Sequence, residues 1–399
     1  MRLWLKECGK VLSTIPYWVC IAAIALMYVT QYQEDNQLIS QPVPNQESYG
    51  MHYVENPEII MPAAVNELVY ELVRNKYISY PIGFYKEVVL NERKQAEIVE
   101  QLNMLVDREF NLIDAEQIGA TLQLADTVTY DHFKKVMKQV DKLIGGGSKY
   151  SESYLLKNFG HVEMTYEDAF ASYNAIMQKD KISGAYARVF VDYIGIMLGI
   201  LPVFIAVALS LKDSKKGIQE VIYTRKISSV RLVLTRYMAI IIMIIIPILL
   251  VACYETMHLQ SLYDVVNYDQ FAFVKYSLGW LMPTVLVVTA LGMLLTEWTG
   301  TAIAIIVQGV WWFVSMFMGI AQIDGGYGRF VLSPRHNKLG NTELYLEQFN
   351  SLVMNRGFYT IFAFLLLGCT VWIYEKKRRG MHSVKEWVIQ KRANYKNEY

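Results

Sequence analysis

"LKDSKKGIQEVIYTRKISSVRLVLTRYM", residues 211–238, lies between two long apolar runs and carries six Lys/Arg before the second run begins at Leu232. Ile218, Val221 and Ile222 fall at helical spacing, so the segment 212–231 reads as a short, basic, amphipathic helix. A chain that places such a helix between two runs of membrane grade presents it to something at the membrane surface.

Working outward, a hydrocarbon core of roughly 30 Å needs about 20 apolar residues at helical rise. The runs 187–211, 232–253, 271–296, 299–321 and 357–374 meet that length or come close to it. Pro202, Pro247 and Pro283 do not disqualify them, since helices in lipid tolerate proline when neighbours re-satisfy the backbone. A shorter run, Trp18 to Val29, follows Arg2, Lys6 and Lys10. That order resembles a signal peptide. No small-x-small cleavage site follows it, however, and Tyr17, Trp18, Tyr28 and Tyr32 bracket it as interfacial aromatics do. A retained first span is therefore the expectation. The whole chain is 53% hydrophobic with only 19% charged residues, which fits a polytopic membrane protein better than a soluble one.

Basic residues set the expected orientation. The N-terminal tip has three Lys/Arg, the 212–231 loop six and the tail after Tyr374 eight, whereas 254–269 has none and carries Glu255, Asp264 and Asp269. The positive-inside rule places both termini and the 212–231 loop in the cytoplasm. Six spans satisfy these counts. Five, with the first segment removed, leave the later loops where they are.

The expected fold is an all-α polytopic membrane protein of six transmembrane helices. Residues 1–32 form an amphipathic N-terminal segment and the first span. Residues 33–185 form a mostly helical extracellular domain, 186–375 hold the remaining five spans, and 376–399 are a basic cytoplasmic tail. Within 33–185, Val65, Leu68, Val69, Leu72 and Val73 share one helix face. One longer helix is expected over 84–110. A third over 131–144 stops at Gly145, Gly146 and Gly147, and a fourth opens with Thr165 and Asp168 as a capping box. No period-two run predicts a strand.

Several chemistries find no support in this pattern. Cys8, Cys20, Cys253 and Cys369 all lie in or beside apolar runs, which argues against a disulfide-stapled ectodomain. No Cys/His spacing suits a metal, and no HExxH is present. His132 beside Asp131 and His161 near Glu163 read as solvated surface residues. "GGGSK" at 145–149 lacks the Gly-Lys-Ser/Thr order of a phosphate loop, because Tyr150 follows Lys149. No cofactor is expected in this chain and no nucleic-acid partner.

Polar residues inside the spans each need a partner or a cavity. Arg188 and Asp192, four apart, are expected to pair on one helix face. Gln308 is mid-span and either lines a path or bonds a neighbouring helix. These three are the candidate path residues. Glu297 is expected to be solvated or paired at a turn. Gly195 and Gly199 form a GxxxG, which favours close helix approach. No interrupted helix or internal repeat of the kind found in secondary transporters is evident.

The span order, the amphipathic tip "MRLWLKECGKVLSTIP" and the loop pattern Asp213, Gly217, Glu220, followed by a Ser-rich turn and a basic run into the next span, resemble the permease subunits of ABC-2-type transporters. Lys226-Ile227-Ser228 stands where members often carry proline. The resemblance covers residues of roughly 187–375 and does not extend to 33–185. It implies an exporter's membrane subunit in the plasma membrane, coupled to separate ATP-binding subunits that carry ATP and Mg, and paired with a second permease chain. It also makes 212–231 the coupling helix, with Asp213, Gly217, Ile218, Glu220, Val221, Ile222 and Arg225 as its docking residues. Ile218, Val221 and Ile222 would seat in a partner groove, with Glu220 and the basic residues at the rim. The other reading of the helix lays it on anionic lipid through Lys212, Lys215 and Lys216. The alternative function is a membrane sensor or scaffold, whose external domain binds a ligand while loop and tail recruit a cytosolic protein.

Overall fold

The computed structural model describes residues 2–33, 38–81, 85–107, 110, 122–215, 217–263, 268–320, 330–335 and 338–380, without the side chains of 153 and 317–320. Lys216 and the tail beyond Gly380, with its basic residues, lie outside that set. In chain order the elements begin with α1 (Arg2–Leu12) and α2 (Ile15–Tyr32), the latter closing in a π-helical turn. There follow β1 (Met51–Tyr53), α3 (Pro57–Arg74), β2 (Tyr77–Ser79), β3 (Lys86–Val88) and α4 (Glu92–Asn103). Then come α5 (Tyr130–Ile144), α6 (Glu152–Phe159), β4 (His161–Glu163) and α7 (Tyr166–Ala175). The apolar half contains α8 (Ser183–Leu198), α9 (Leu201–Asp213), α10 (Ile218–Tyr223) and α11 (Ser229–Leu262). It ends with α12 (Ala272–Thr299), α13 (Ile303–Ile320) and α14 (Thr342–Arg378).

The chain divides into two units, one of residues 1–40 with 172–399 and one of residues 41–171. The 41–171 unit closes around Ile60, Leu68, Ile98, Leu102, Phe133 and Met137, all fully buried. Its helices start and stop where short polar side chains dictate. Asn56 accepts from the Glu58 amide, Asn91 from Lys94 and Thr129 from His132. Gly145 ends α5 at φ +120°, a conformation that strains any residue with a Cβ. Thr165 and Asp168 make the reciprocal capping box, with the Thr165 amide donating to Asp168 Oδ2 at 3.0 Å and the Asp168 amide to Thr165 Oγ1 at 3.2 Å.

Two expectations for this unit fail. The helix over 84–110 is a strand and a shorter helix, because Asn91 caps at the point where β3 has ended. Strands also exist: β1 pairs antiparallel with β4, and β2 with β3, each over three residues. Three-residue strands are too short to display alternation.

The other unit is a bundle of apolar helices. Among the described residues, five helices are long and apolar enough to cross a membrane: Ile15–Tyr32, Ser183–Asp213, Ser229–Leu262, Ala272–Thr299 and Thr342–Arg378. The bundle exposes Ile306 at 68%, Leu250 at 67% and Leu365 at 61%, a surface suited to lipid and costly in water. The chain is thus a mostly helical protein built to be embedded in a membrane. Neighbours α12 and α14 run parallel, since Thr284 meets Arg356 partway along both and Glu297 meets Lys377 near both C-terminal ends. Their connection therefore returns along the bundle, and α13 carries it. Close approach is built in at Gly292, where a Cβ would lie 2.9 Å from that of Ala206.

Helix ends differ from those expected. The α11 helix continues to Leu262, so Glu255 stands on a helix and not in a loop. The α14 helix begins at Thr342, well before the apolar run at 357. The second span is broken, with α8 ending at Leu198 and α9 starting at Leu201. Pro202 has no N–H to offer Leu198, and the chain steps across Gly199 and Ile200. The expectation of uninterrupted helices is corrected at this point.

Candidate functional site

The stretch between α9 and α11 is less helical than its pattern predicts. The α10 helix spans only Ile218–Tyr223. Gly217 precedes it at φ +86°, a region open to glycine. Ser228 then caps α11 by accepting from the Arg231 amide at 3.3 Å, so a new helix begins within the segment expected to be one.

Of the expected docking residues, Ile218 (43%) and Val221 (57%) are exposed, and so are Gly217, Glu220 and Arg225. Ile222 is not. It is half-buried and packs with Tyr223 and Ile227 against the bundle's own core. Asp213 closes α9 inside an ion network. Its carboxylate lies 2.6 Å from Arg236 and 3.3 Å from Lys10, while Glu7 sits 2.9 Å from Lys10 and 3.7 Å from Arg236. All but Lys10 have side chains at most 10% exposed.

The same end of the bundle fastens α10 from a third side. Arg378 of α14 donates to the carbonyls of Tyr223, Arg225 and Ile227 at 3.1, 2.8 and 2.6 Å. Ser229 donates to Glu375, and Lys377 pairs with Glu297 at 3.6 Å, both side chains buried. Tyr374 packs edge-on against Tyr223 with centroids 5.5 Å apart. The space bounded by Asp213, Arg236, Glu297 and Tyr374 is about 10 Å³, room for one water. Buried charges paired this way orient helices more than they stabilise them. The amphipathic tip, the α10 loop and the end of α14 therefore share one end of the bundle and are linked by charge.

The expected path residues do not form one site. Arg188 pairs with Asp180, not Asp192, and donates to the Leu339 carbonyl at 2.9 Å. Asp180 also accepts from Thr342 Oγ1 at 2.6 Å. Asp192 instead pairs with Arg335 at 2.5 Å. Helix spacing made Arg188 and Asp192 neighbours, but each found a better partner across the bundle.

Gln308 bonds a neighbouring helix, and the break in the second span explains why. Ile200 N–H turns to Met197 and Val203 N–H to Ile200, which frees the carbonyls of Ile196 and Gly199. Trp312 Nε1 takes the first at 2.9 Å and Gln308 Nε2 the second at 2.6 Å. The two side chains are one turn apart on α13, matching the spacing of the freed groups. Ser333 Oγ donates to the Gly195 carbonyl at 2.9 Å. The GxxxG thus receives side chains at both glycines, and a Cβ on Gly199 would stand 2.6 Å from Trp312 Cδ1.

Three features escaped the sequence reading. Arg236 lies inside a predicted span, which was itself a signal. Arg356 is buried in α14 and donates to the carbonyls of Trp280, Val331 and Leu332 and to Thr284 Oγ1 at 2.8–3.1 Å. No carboxylate pairs with it among the described residues. Glu255 accepts from Tyr28, which only the packed bundle brings near. The chain matches no protein-family model, no curated protein and no solved structure.

Proposed function

We propose that this chain is the membrane subunit of an ATP-driven exporter, of the ABC-2 kind that its sequence resembles. It crosses the plasma membrane six times with both termini cytoplasmic, and α10 is the coupling helix that meets a separate ATP-binding subunit. The single observation that carries this reading is the state of α10. A six-residue helix presents Ile218, Glu220 and Val221 outward, yet the carbonyl of its last residue, Tyr223, and those of Arg225 and Ile227 just after it accept from Arg378 of α14. A push on that exposed face has a direct route to α14. It has another through Asp213 at the end of α9 to Lys10 of α1 and Arg236 of α11.

An interfacial helix serving only to sit on lipid needs no such attachment at its back. In this reading the 41–171 unit is extracellular, and a second permease chain completes the path. ATP and Mg belong to the partner subunits.

The test is co-purification from native membranes, followed by transport. Ile218→Asp with Val221→Asp is expected to abolish capture of an ATP-binding subunit and ATP-dependent efflux, with the melting temperature of the solubilised chain unchanged. Capture and efflux at wild-type levels would rule out α10 as the docking element. Ile222 is unsuitable for this test, because its side chain packs inward.

A further inference from the structure

At the opposite end of the bundle from α10, α2, α8 and α11 enclose a cavity of about 210 Å³ walled in part by Gln33, Tyr186, Glu255, His258, Leu259 and Leu262. Glu255 lies 26 residues beyond the start of α11, about 39 Å along the helix axis, so the cavity sits at headgroup depth or beyond. We propose that this cavity binds an ammonium group, with Glu255 as its counter-charge. The proposal is independent of the ATP-coupled reading above.

The argument begins with charge. The Glu255 side chain is 2% exposed. Its Oε1 accepts from the Tyr28 hydroxyl, and Gln33 Nε2 donates to that hydroxyl at 3.0 Å, so the tyrosine's one hydrogen is committed to the carboxylate. A neutral donor fixes the carboxylate without balancing it. His258 Nδ1 stands 4.0 Å from Oε2, too far for a hydrogen bond, and its side chain is 43% exposed to solvent. No Lys or Arg occurs between Lys10 and Arg74 or between Arg236 and Lys275. Lys275 is itself held by Asp269 at 2.7 Å. On the α8 side of the cavity, Lys181 is exposed and Arg188 is held by Asp180. A buried carboxylate that lacks a cation is costly, and a cation entering the cavity offsets that cost.

The shape of the cavity selects the kind of cation. Leu259 and Leu262 give apolar walls, and Tyr186 and His258 present aromatic groups, the latter stacked on Tyr254 at 5.8 Å. A carboxylate beside aromatic and aliphatic walls suits an alkylated ammonium, which is large, weakly hydrated and attracted to ring faces. A compact metal ion prefers several oxygen ligands, and no group of three metal-ligating side chains is found among the described residues. The volume fits a group of the size of choline or ethanolamine. Such a group belongs either to a free amine or to a phospholipid headgroup.

The test uses the full chain in nanodiscs of phosphatidylglycerol, which has no ammonium. Choline chloride is titrated against thermal unfolding, with 3,3-dimethylbutanol as the uncharged isostere. The expected result is saturable stabilisation by choline, none by the isostere, and an apparent affinity about tenfold weaker in Glu255→Gln. His258→Gln should retain binding. If replacing the lipid with phosphatidylcholine gives the Glu255-dependent stabilisation and free choline does not, the ligand is a headgroup and the assignment stands. Equal stabilisation by the isostere, unchanged binding in Glu255→Gln, equal replacement by calcium, or no response to either choline or phosphatidylcholine would overturn it. The isostere comparison is made on the unaltered protein and needs no variant to fold.

Discussion

The two ends of the helical bundle treat buried charge in opposite ways. Where α1, α9, α11 and α14 meet, every buried carboxylate has a cation: Glu7 and Asp213 share Lys10 and Arg236, and Glu297 faces Lys377. At the other end, Glu255 is as deeply buried but receives a tyrosine hydroxyl, with a histidine at 4.0 Å. The first arrangement is complete in itself and ties moving parts together. The second is incomplete and has space beside it. A shared network suits transmission of force, whereas an unbalanced carboxylate in a cavity suits a ligand.

The largest effect that separates the two ends is on stability. Asp213→Asn removes the acid common to Lys10 and Arg236 and leaves Arg236 buried with only the more distant Glu7, which should cost about 3 kcal/mol. Glu255→Gln keeps an acceptor for Tyr28 and should cost under about 1 kcal/mol. Thermal unfolding in one detergent measures both, and equal losses would erase the contrast. Next in size, Gly199→Ala forces a Cβ against Trp312 and should cost about 2 kcal/mol by overpacking. Trp312→Leu should relieve part of that loss when the two are combined, since neighbours in contact are not additive.

A smaller effect concerns a third arrangement, in the 41–171 unit. Lys149 pairs with Glu67 and lies 3.2 Å from Glu71. Burial by itself lowers the lysine's pKa, but the two carboxylates outweigh it and hold the value above the ordinary 10.5. Because the folded value is the higher one, this contribution to stability is full below pH 10.5 and is lost as pH rises through the folded pKa. Alkaline titration of the wild type should show that loss, and Lys149→Met should remove it. A variant as alkali-sensitive as the wild type would mean that other groups govern the response.

The apolar runs made the bundle legible, because membrane-grade hydrophobicity leaves few alternatives to helix. Caps were legible where residue types decide them, as at Thr165 and Asp168. The short α10 was partly legible: Ser228 announces a new helix start, but six basic residues and three apolar ones at helical spacing outweighed that sign. The partners of Arg188 and Asp192 were not legible. Arg335 is 143 residues from Asp192 in sequence, and helix geometry offered a nearer partner for each. Nor was the break at Gly199 and Ile200, since Pro202 is compatible with a continuous span and only the positions of Gln308 and Trp312 satisfy the freed carbonyls.

The central claim concerns the outward face of α10, and a photo-reactive residue placed there in native membranes tests it most directly. With the label at Val221, the account predicts a crosslink to an ATP-binding protein that disappears when the label is moved inward to Ile222. Crosslinks from Val221 only to lipid, or labelling of that position by a reagent confined to the outside of the cell, would contradict it.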